Sequence, residues 1–532
     1  MSWRIPLQDI SFSAINYQEV IVDEGSAFSV AEIFDLTSNC ELAKKFRKTS
    51  VDRKEINYMK KLYTILGMLL VLTLFLTPLV LAAEGEAPAA PAEPPKIDTG
   101  DTTFVLLSAA LVMLMTPALA LFYGGMVRTK NVLSIIMQSF ICLGVISLQW
   151  VLWGYSLAFG PDINHLIGGL DWLGLNGVGA DPNPDYSATI PQLAFMIFQG
   201  VFAIITPAII SGSVAGRVKF PAYIAFVVLW ATLVYDPVAH WVWGVGGWLR
   251  EYGVLDFAGG TVVHIISGVS GLVFALMIGK RKGYGTEVMA PHHLPMTVLG
   301  AALLWFGWFG FNAGSALGAN GIASVAFVTT HVAAAAATVS WVLAEWLYHG
   351  KPTILGAASG CIAGLVAITP AAGFVTIMSA IIMGLVGGII CFFAVAVAKH
   401  KLGYDDSLDA FGVHGVGGTW GAIATGLFAS TAVNPAGADG FFYGNAAQVL
   451  KQLVGVGTSW VFAAVMTFVI IKAIGLVMQI KADEEQQVQG MDVTEHGERG
   501  YAYQDLMTGS PIGLPVNSIV TNEVTVNKTT LA

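Results

Sequence analysis

Charge is scarce in this chain. Only 11% of its 532 residues are Asp, Glu, Lys or Arg, where a soluble globular domain carries about 25%. Hydrophobic residues make up 55%, which excludes an ordinary water-soluble globule and gives an all-α integral membrane protein as the fold class. No block of basic residues is present to bind nucleic acid, and the net charge of −9 comes largely from acids in the termini and loops. There are four cysteines. Cys142, Cys361 and Cys391 fall within apolar stretches, and no pair has the spacing of a metal site or a disulfide framework, so they read as packing thiols. Zn-type spacings, a P-loop, a CxxCH haem-attachment motif and a recognisable catalytic triad are absent from the sequence. These absences argue against ATP-driven and hydrolytic roles. The chain does not read as an enzyme, and no cofactor or metal is expected.

What is abundant is long apolar sequence. Residues 1–58 are a polar extension of mixed charge. Met59-Lys60-Lys61, an apolar stretch to Ala83 and an Ala/Pro/Glu segment over 84–101 follow. A short basic segment, a hydrophobic segment and small residues at Ala82-Ala83 describe a secretory signal peptide with its start at Met59. The alternative is an uncleaved signal anchor with a 58-residue cytosolic head. Either way the 84–101 linker is external. A membrane domain is expected over 102–480 and a cytoplasmic tail over 481–532.

Within that domain the hydropathy predicts eleven transmembrane helices, near 102–124, 131–159, 190–213, 219–241, 256–279, 294–313, 321–348, 353–371, 373–398, 409–430 and 447–479. Alternate loops carry the basic residues: Arg128 and Lys130; Arg217 and Lys219; Lys280, Arg281 and Lys282; Lys351; Lys399 and Lys401. The opposite loops hold Arg250 and Lys451, and the 160–189 loop has four aspartates and no Lys or Arg. This positive-inside bias puts the N-terminus of the core outside and the C-terminus in the cytoplasm. Spans 1–5 and 6–10 form two fives. Halves of odd span number point in opposite directions, so an inverted five-plus-five repeat is expected, with a pathway at the interface and span 11 peripheral.

Each half ends in one intramembrane histidine: His264 in GTVVH and His414 in FGVHGVGG. Ionisable groups at that depth are rare and line pathways. The alternatives are a histidine bonded to a backbone carbonyl or a pair of haem ligands. His264 follows Asp256 by eight residues, about 12 Å along a helix and near mid-bilayer. His414 follows Asp409 by five. Trp308, Phe311 and Ser315 stand at i, i+3 and i+7, so one helix face carries two rings and a hydroxyl. Such a face attracts ammonium-type cations, by about 2 kcal/mol when desolvated. Trp243 lies at the outer end of span 4, where interfacial Trp is common. Asp256 could attract cations or cap span 5.

Seven phrases together resemble the ammonium transporter family: ALFYGGMVRTKNVLS (120–134), FQGVFA (198–203), HWVWG (240–244), LDFAGGTVVH (255–264), WFGFNAGSA (308–316), DAFGVHGVGG (409–418) and GMDVTEHGER (490–499). The resemblance implies an eleven-helix protomer in a homotrimer with one pore per protomer, in the inner (plasma) membrane. It implies an outer recruitment site for ammonium, or methylammonium as an analogue, at Trp243, Phe202 and Ser315, with Trp308 nearby and with Asp256 matching an aspartate important for the outer vestibule. It implies a gate of stacked Phe202 and Phe311, a pore lined by His264 and His414, and a structural Asp409 at the inner mouth. GMDVTEHGER resembles the tail on the cytoplasmic face where a PII signal protein docks. An ammonium sensor with the tail as its output is the rival reading. Residues 1–58 and the segment from about 502 have no counterpart in the family.

Overall fold

The computed structural model describes residues 95–501. The signal segment, the polar extension and the last thirty-one residues, 502–532, lie outside the described residues.

Among the described residues nine helices are long and apolar enough to cross a membrane. They are α1 (Thr99–Met126), α2 (Thr129–Phe159), α3 (Gln192–Val214), α4 (Phe220–Trp230, continuing through Asp236–Trp243), α5 (Gly260–Ile278), α6 (Leu294–Gly314), α7 (Gly321–His349), α9 (Ile377–Leu402) and α11 (Ala447–Val477). The eighth and tenth predicted spans are helical but shorter. α8 covers Ile354–Ile368 and stops before Thr369-Pro370, where proline removes a backbone donor and disfavours helix in the residue before it. α10 is a π turn, Phe411–Gly415, followed by Val416–Phe428, and is rich in glycine. The chain is a multi-pass membrane protein.

Helix starts follow from local chemistry. Asp98, Asn320, Thr353 and Thr376 each accept the backbone N–H three residues on, capping α1, α7, α8 and α9. The interiors are apolar all round, and in α3 nearly every residue is buried, as expected of a helix at the centre of a bundle. Among the described residues five π turns interrupt the helices: Trp150–Gly154 in α2, Ala231–Tyr235 in α4, Gly260–Ile265 in α5, Ala394–Ala398 in α9 and Phe411–Gly415 in α10. Such turns rotate the following residues and collect at functional sites.

The packing repeats itself. α1 packs on α2 and α3 as α6 packs on α7 and α8; α3 meets α5 as α8 meets α10. The largest helix contact joins α1 to α6. The α2–α3 loop carries two small antiparallel hairpins, Asp162–Ile163 with Ile167–Gly168 and Pro182–Asn183 with Ser187–Pro191, which hydropathy does not reveal.

After α11 the chain crosses the basic side. Ala482 N–H donates to Arg217 O at 2.9 Å and Lys219 N–H to Ile480 O at 2.9 Å. Two short helices follow, α12 (Glu484–Gln489) and α13 (Met491–His496). Lys130 Nζ donates to Gln487 O at 2.8 Å, and Met491 N–H to Asn131 Oδ1 at 2.9 Å. With Lys282 Nζ donating to Glu484 Oε2 at 2.6 Å, the tail is tied to three of the basic loops. Beneath it Asp405 is chelated by Arg281 (Nη2 to Oδ1 2.6 Å) and faces Arg217 at 3.5 Å. Burial pushes this carboxyl up, but the Arg281 hydrogen bonds and the Arg217 charge outweigh burial and hold it below the usual range.

Candidate functional site

The site begins with how α5 starts. Asp256 accepts from the backbone N–H of Gly259 (2.8 Å), Gly260 (2.7 Å) and Thr261 (2.7 Å), and from the Thr261 hydroxyl. A carboxylate offers about four lone-pair sites, so these donors saturate it. Of the two roles open to Asp256, the cap is the one its geometry serves; the donors at a helix start also offset its burial. Its backbone carbonyl accepts the Trp243 indole N–H at 2.9 Å, which turns that ring into the outer cup.

α10 starts the same way. Phe411 N–H donates to Asp406 Oδ2 at 2.8 Å, five residues on, as Thr261 does to Asp256. Asp406 precedes His414 by the same eight residues that separate Asp256 from His264. Asp406 is therefore the counterpart that sequence reasoning missed; the repeated D-x7-H spacing was the available signal. Asp409 instead has a left-handed backbone (φ 62°) and pairs with Lys399 Nζ at 2.6 Å at the inner mouth.

Glycine brings the two histidine helices together. A Cβ on Gly268 would lie 2.2 Å from Gly415 N, and one on Gly418 would lie 2.9 Å from His264 Cβ. Only hydrogen at these positions permits backbone-to-backbone crossing. Both histidines are buried, and their Nδ1 atoms lie 3.2 Å apart.

The aromatic residues divide this region. A cup of about 260 Å³ is lined by Phe202, Trp243, Asp256 and Ser315 among others, with Gln199 and Tyr186 on its wall. A separate cavity of about 20 Å³ is lined by Phe311, Trp308, His264 and His414 within an otherwise apolar wall. One water-sized molecule needs roughly 10–15 Å³ by this measure, so the cavity fits one or two. Phe202 and Phe311 lie between cup and cavity, centroids 4.3 Å apart and tilted by 38°. Trp243 meets Phe202 edge-on at 6.1 Å. Ser315 Oγ donates to Phe311 O at 2.8 Å, leaving its lone pairs for the cup. A third space of about 210 Å³ opens below His414 and reaches Asp409.

Trp308, expected with the outer aromatics, instead lies past Phe311, stacked on His264 at 5.4 Å. The other named residues come together as two layers: Trp243, Phe202, Ser315 and Asp256 outside, Phe311, His264 and His414 within. His240, from the HWVWG phrase, is buried between Ala158 O (3.0 Å) and Asp162 Oδ1 (2.8 Å) and ties α4 to the outer hairpin. Among the described residues no cluster of three or more His, Cys, Asp or Glu side chains is arranged to hold a metal.

Known proteins share this arrangement of sequence. A family model described as "Ammonium Transporter Family" matches residues 103–501. The "Ammonium transporter" of Bacillus subtilis (strain 168) is 60% identical over 408 residues, spanning 77% of this chain and 99% of that protein. The crystal structure of Saccharomyces cerevisiae Mep2 superposes with a TM-score of 0.69 at 36% identity, over 73% of this chain and 88% of Mep2. A structure titled "Sensor Amt Protein" gives 0.70 at 30% identity, over 75% and 98%.

Proposed function

The chain belongs to the ammonium transporter family, and we propose that it transports ammonium by taking up the cation in the outer cup, removing its proton and passing ammonia along the histidine cavity. The observation that carries this reading is the paired imidazoles, 3.2 Å apart, in an apolar space that fits one or two small molecules.

Energy argues for deprotonation. A small cation moved into a low-dielectric core faces an idealised cost of order 20 kcal/mol. An amine-type cation with pKa about 10 gives up its proton at pH 7 for about 4 kcal/mol, at ~1.36 kcal/mol per unit. Trp243 and Phe202 attract the cation through their ring faces, and Ser315 accepts from it. The Phe202–Phe311 pair must part to let it through, which excludes larger hydrated ions. Neutral imidazole both donates and accepts, so the pair can hold ammonia and hand on protons. The family resemblance favours net movement of charge over a neutral gas channel.

We further propose eleven spans in an inverted five-plus-five repeat with α11 peripheral. The matching neighbour pattern, the π turns at α4/α9 and α5/α10, and the paired Asp-x7-His starts support it. A homotrimer is proposed on the resemblance. It gains support from His331, exposed ten residues into α7 beside Trp305 at 5.5 Å, with Phe306 and Phe327 exposed nearby. An ionisable group facing lipid at that depth is costly, and a second copy would cover it. The basic-side tail, tied to the loops through α12 and α13, is the proposed region for docking of a PII signal protein. The membrane is proposed to be the inner (plasma) membrane, with the outer cup external.

The test is ammonium-evoked current in proteoliposomes with ammonia flux measured alongside. Flux without current rejects the electrogenic version. A sensing role draws on the likeness to the "Sensor Amt Protein"; absence of methylammonium uptake by well-folded protein would favour it.

A further inference from the structure

Thr369 follows the last residue of α8 and is fully buried. Its Oγ1 lies 2.7 Å from Leu365 O, 2.9 Å from Trp308 Nε1 and 3.3 Å from His264 Nε2. A hydroxyl has one hydrogen and two lone pairs. The carbonyl of Leu365 can only accept, and it makes the shortest of the three contacts, so it takes the hydrogen. The Trp308 indole N–H can only donate, so it takes one lone pair. What remains toward His264 is the second lone pair, and Nε2 of that ring must carry a hydrogen to meet it.

The consequence runs down the pair. A neutral imidazole has one N–H, so His264 Nδ1 is a bare acceptor. His414 Nδ1, 3.2 Å away, must then be the donor, which leaves His414 Nε2 bare. His414 faces both the small cavity and the inner space. We propose that Thr369 is a positioning residue that fixes the tautomers of both histidines and so gives the pair a direction. In this resting arrangement a proton can be accepted at His414 Nε2, the inner end. It cannot be accepted at His264 Nε2, which already holds a hydrogen against Thr369. A proton passing inward through both rings therefore requires each ring to change tautomer, with Thr369 favouring the return. The inference rests on reading the pair as a relay, but the tautomers themselves can be measured without transport.

The experiment is ¹⁵N NMR of the full chain, ¹⁵N-labelled at histidine, in lipid at neutral pH, with signals assigned by their loss in His264→Ala and His414→Ala. The wild type is expected to show Nε2–H at His264 and Nδ1–H at His414. Thr369→Ser, which keeps the hydroxyl, is expected to give the same pattern. Thr369→Val is expected to show both tautomers at His264. A wild-type spectrum with Nδ1–H at His264 overturns the proposal without any variant having to fold, and so does a folded Thr369→Val with the wild-type pattern. Failure of ammonium transport with the expected tautomers present would count against the transport reading and leave this one standing.

Discussion

Gly268→Ala is the substitution whose effect the structure defines best. The added Cβ would lie 2.2 Å from Gly415 N and 2.5 Å from Gly415 Cα, and both are backbone atoms with no side chain to swing aside. Ordinary contact begins near 3.4 Å, so α5 and α10 must separate by up to 3.4 − 2.2 = 1.2 Å. If that shift fell along the imidazole contact, 3.2 Å would become 3.2 + 1.2 = 4.4 Å, beyond the N–H···N hydrogen-bond range of roughly 3.2 Å. Overpacking of this kind costs about 1–3 kcal/mol, partly offset by the ~0.5–1 kcal/mol that alanine gains over glycine inside a helix. The variant should therefore fold with modestly reduced thermal stability. Misplacing a reacting group by about 1 Å can cost on the order of 10²-fold, so methylammonium uptake by reconstituted protein should fall by one to two orders of magnitude. Gly457→Ala on α11, where an added Cβ meets nothing within 4 Å, is the matched control and should transport normally. Wild-type uptake by Gly268→Ala, in protein of confirmed fold, would refute the claim that this crossing sets the histidine geometry.

Other outcomes can be checked in the same preparations. Phe311→Ala removes one half of the ring pair and should leave folding largely intact while admitting larger amines and alkali cations; unchanged selectivity in folded protein would count against the gate. Asp256→Ala removes the acceptor of four short hydrogen bonds, and each buried donor left unsatisfied costs about 1–3 kcal/mol. Melting in detergent should drop far more than for Asp409→Asn, whose carboxylate is partly exposed beside Lys399. The Asp405 carboxyl is held below its unfolded value, about 3.9, so its tie to Arg281 and Arg217 stabilises fully above that pH and is lost as pH falls through the lower folded value. Acid unfolding curves should show that component in the wild type and lose it in Asp405→Asn; identical curves would contradict the assignment.

Much of this arrangement is legible in the sequence. His264 and His414 stood out because an ionisable side chain inside an apolar run has few reasons to be there, and the positive-inside bias ordered the loops. The Trp308–Phe311–Ser315 face was also readable, but helical periodicity gives direction around an axis, and depth comes only from packing. Trp308 is seven residues from Ser315, about 10 Å along the helix, which is enough to put it on the other side of Phe311. The π turns were hidden for a related reason. They are insertions of one hydrogen-bond register, stabilised by tertiary contacts such as the Asp256 and Asp406 starts, and no residue type announces them. Sequence proximity points to Asp409, five residues before His414, and hides Asp406. The eight-residue spacing becomes informative only once both helices are seen to begin alike. Hydropathy alone carries α8 on to 371, because apolar residues resume at Ala371 beyond Thr369-Pro370, where the helix has already ended.

The central claim is that the substrate gives up its charge before it passes the histidine pair. Uptake and current measured together on one proteoliposome preparation, for wild type and for the protein carrying both His264→Ala and His414→Ala, test it most directly. The account predicts that wild type shows uptake with accompanying current, and that the double variant, though folded, loses the current. A folded double variant that keeps the wild-type current for each ammonium taken up would contradict it.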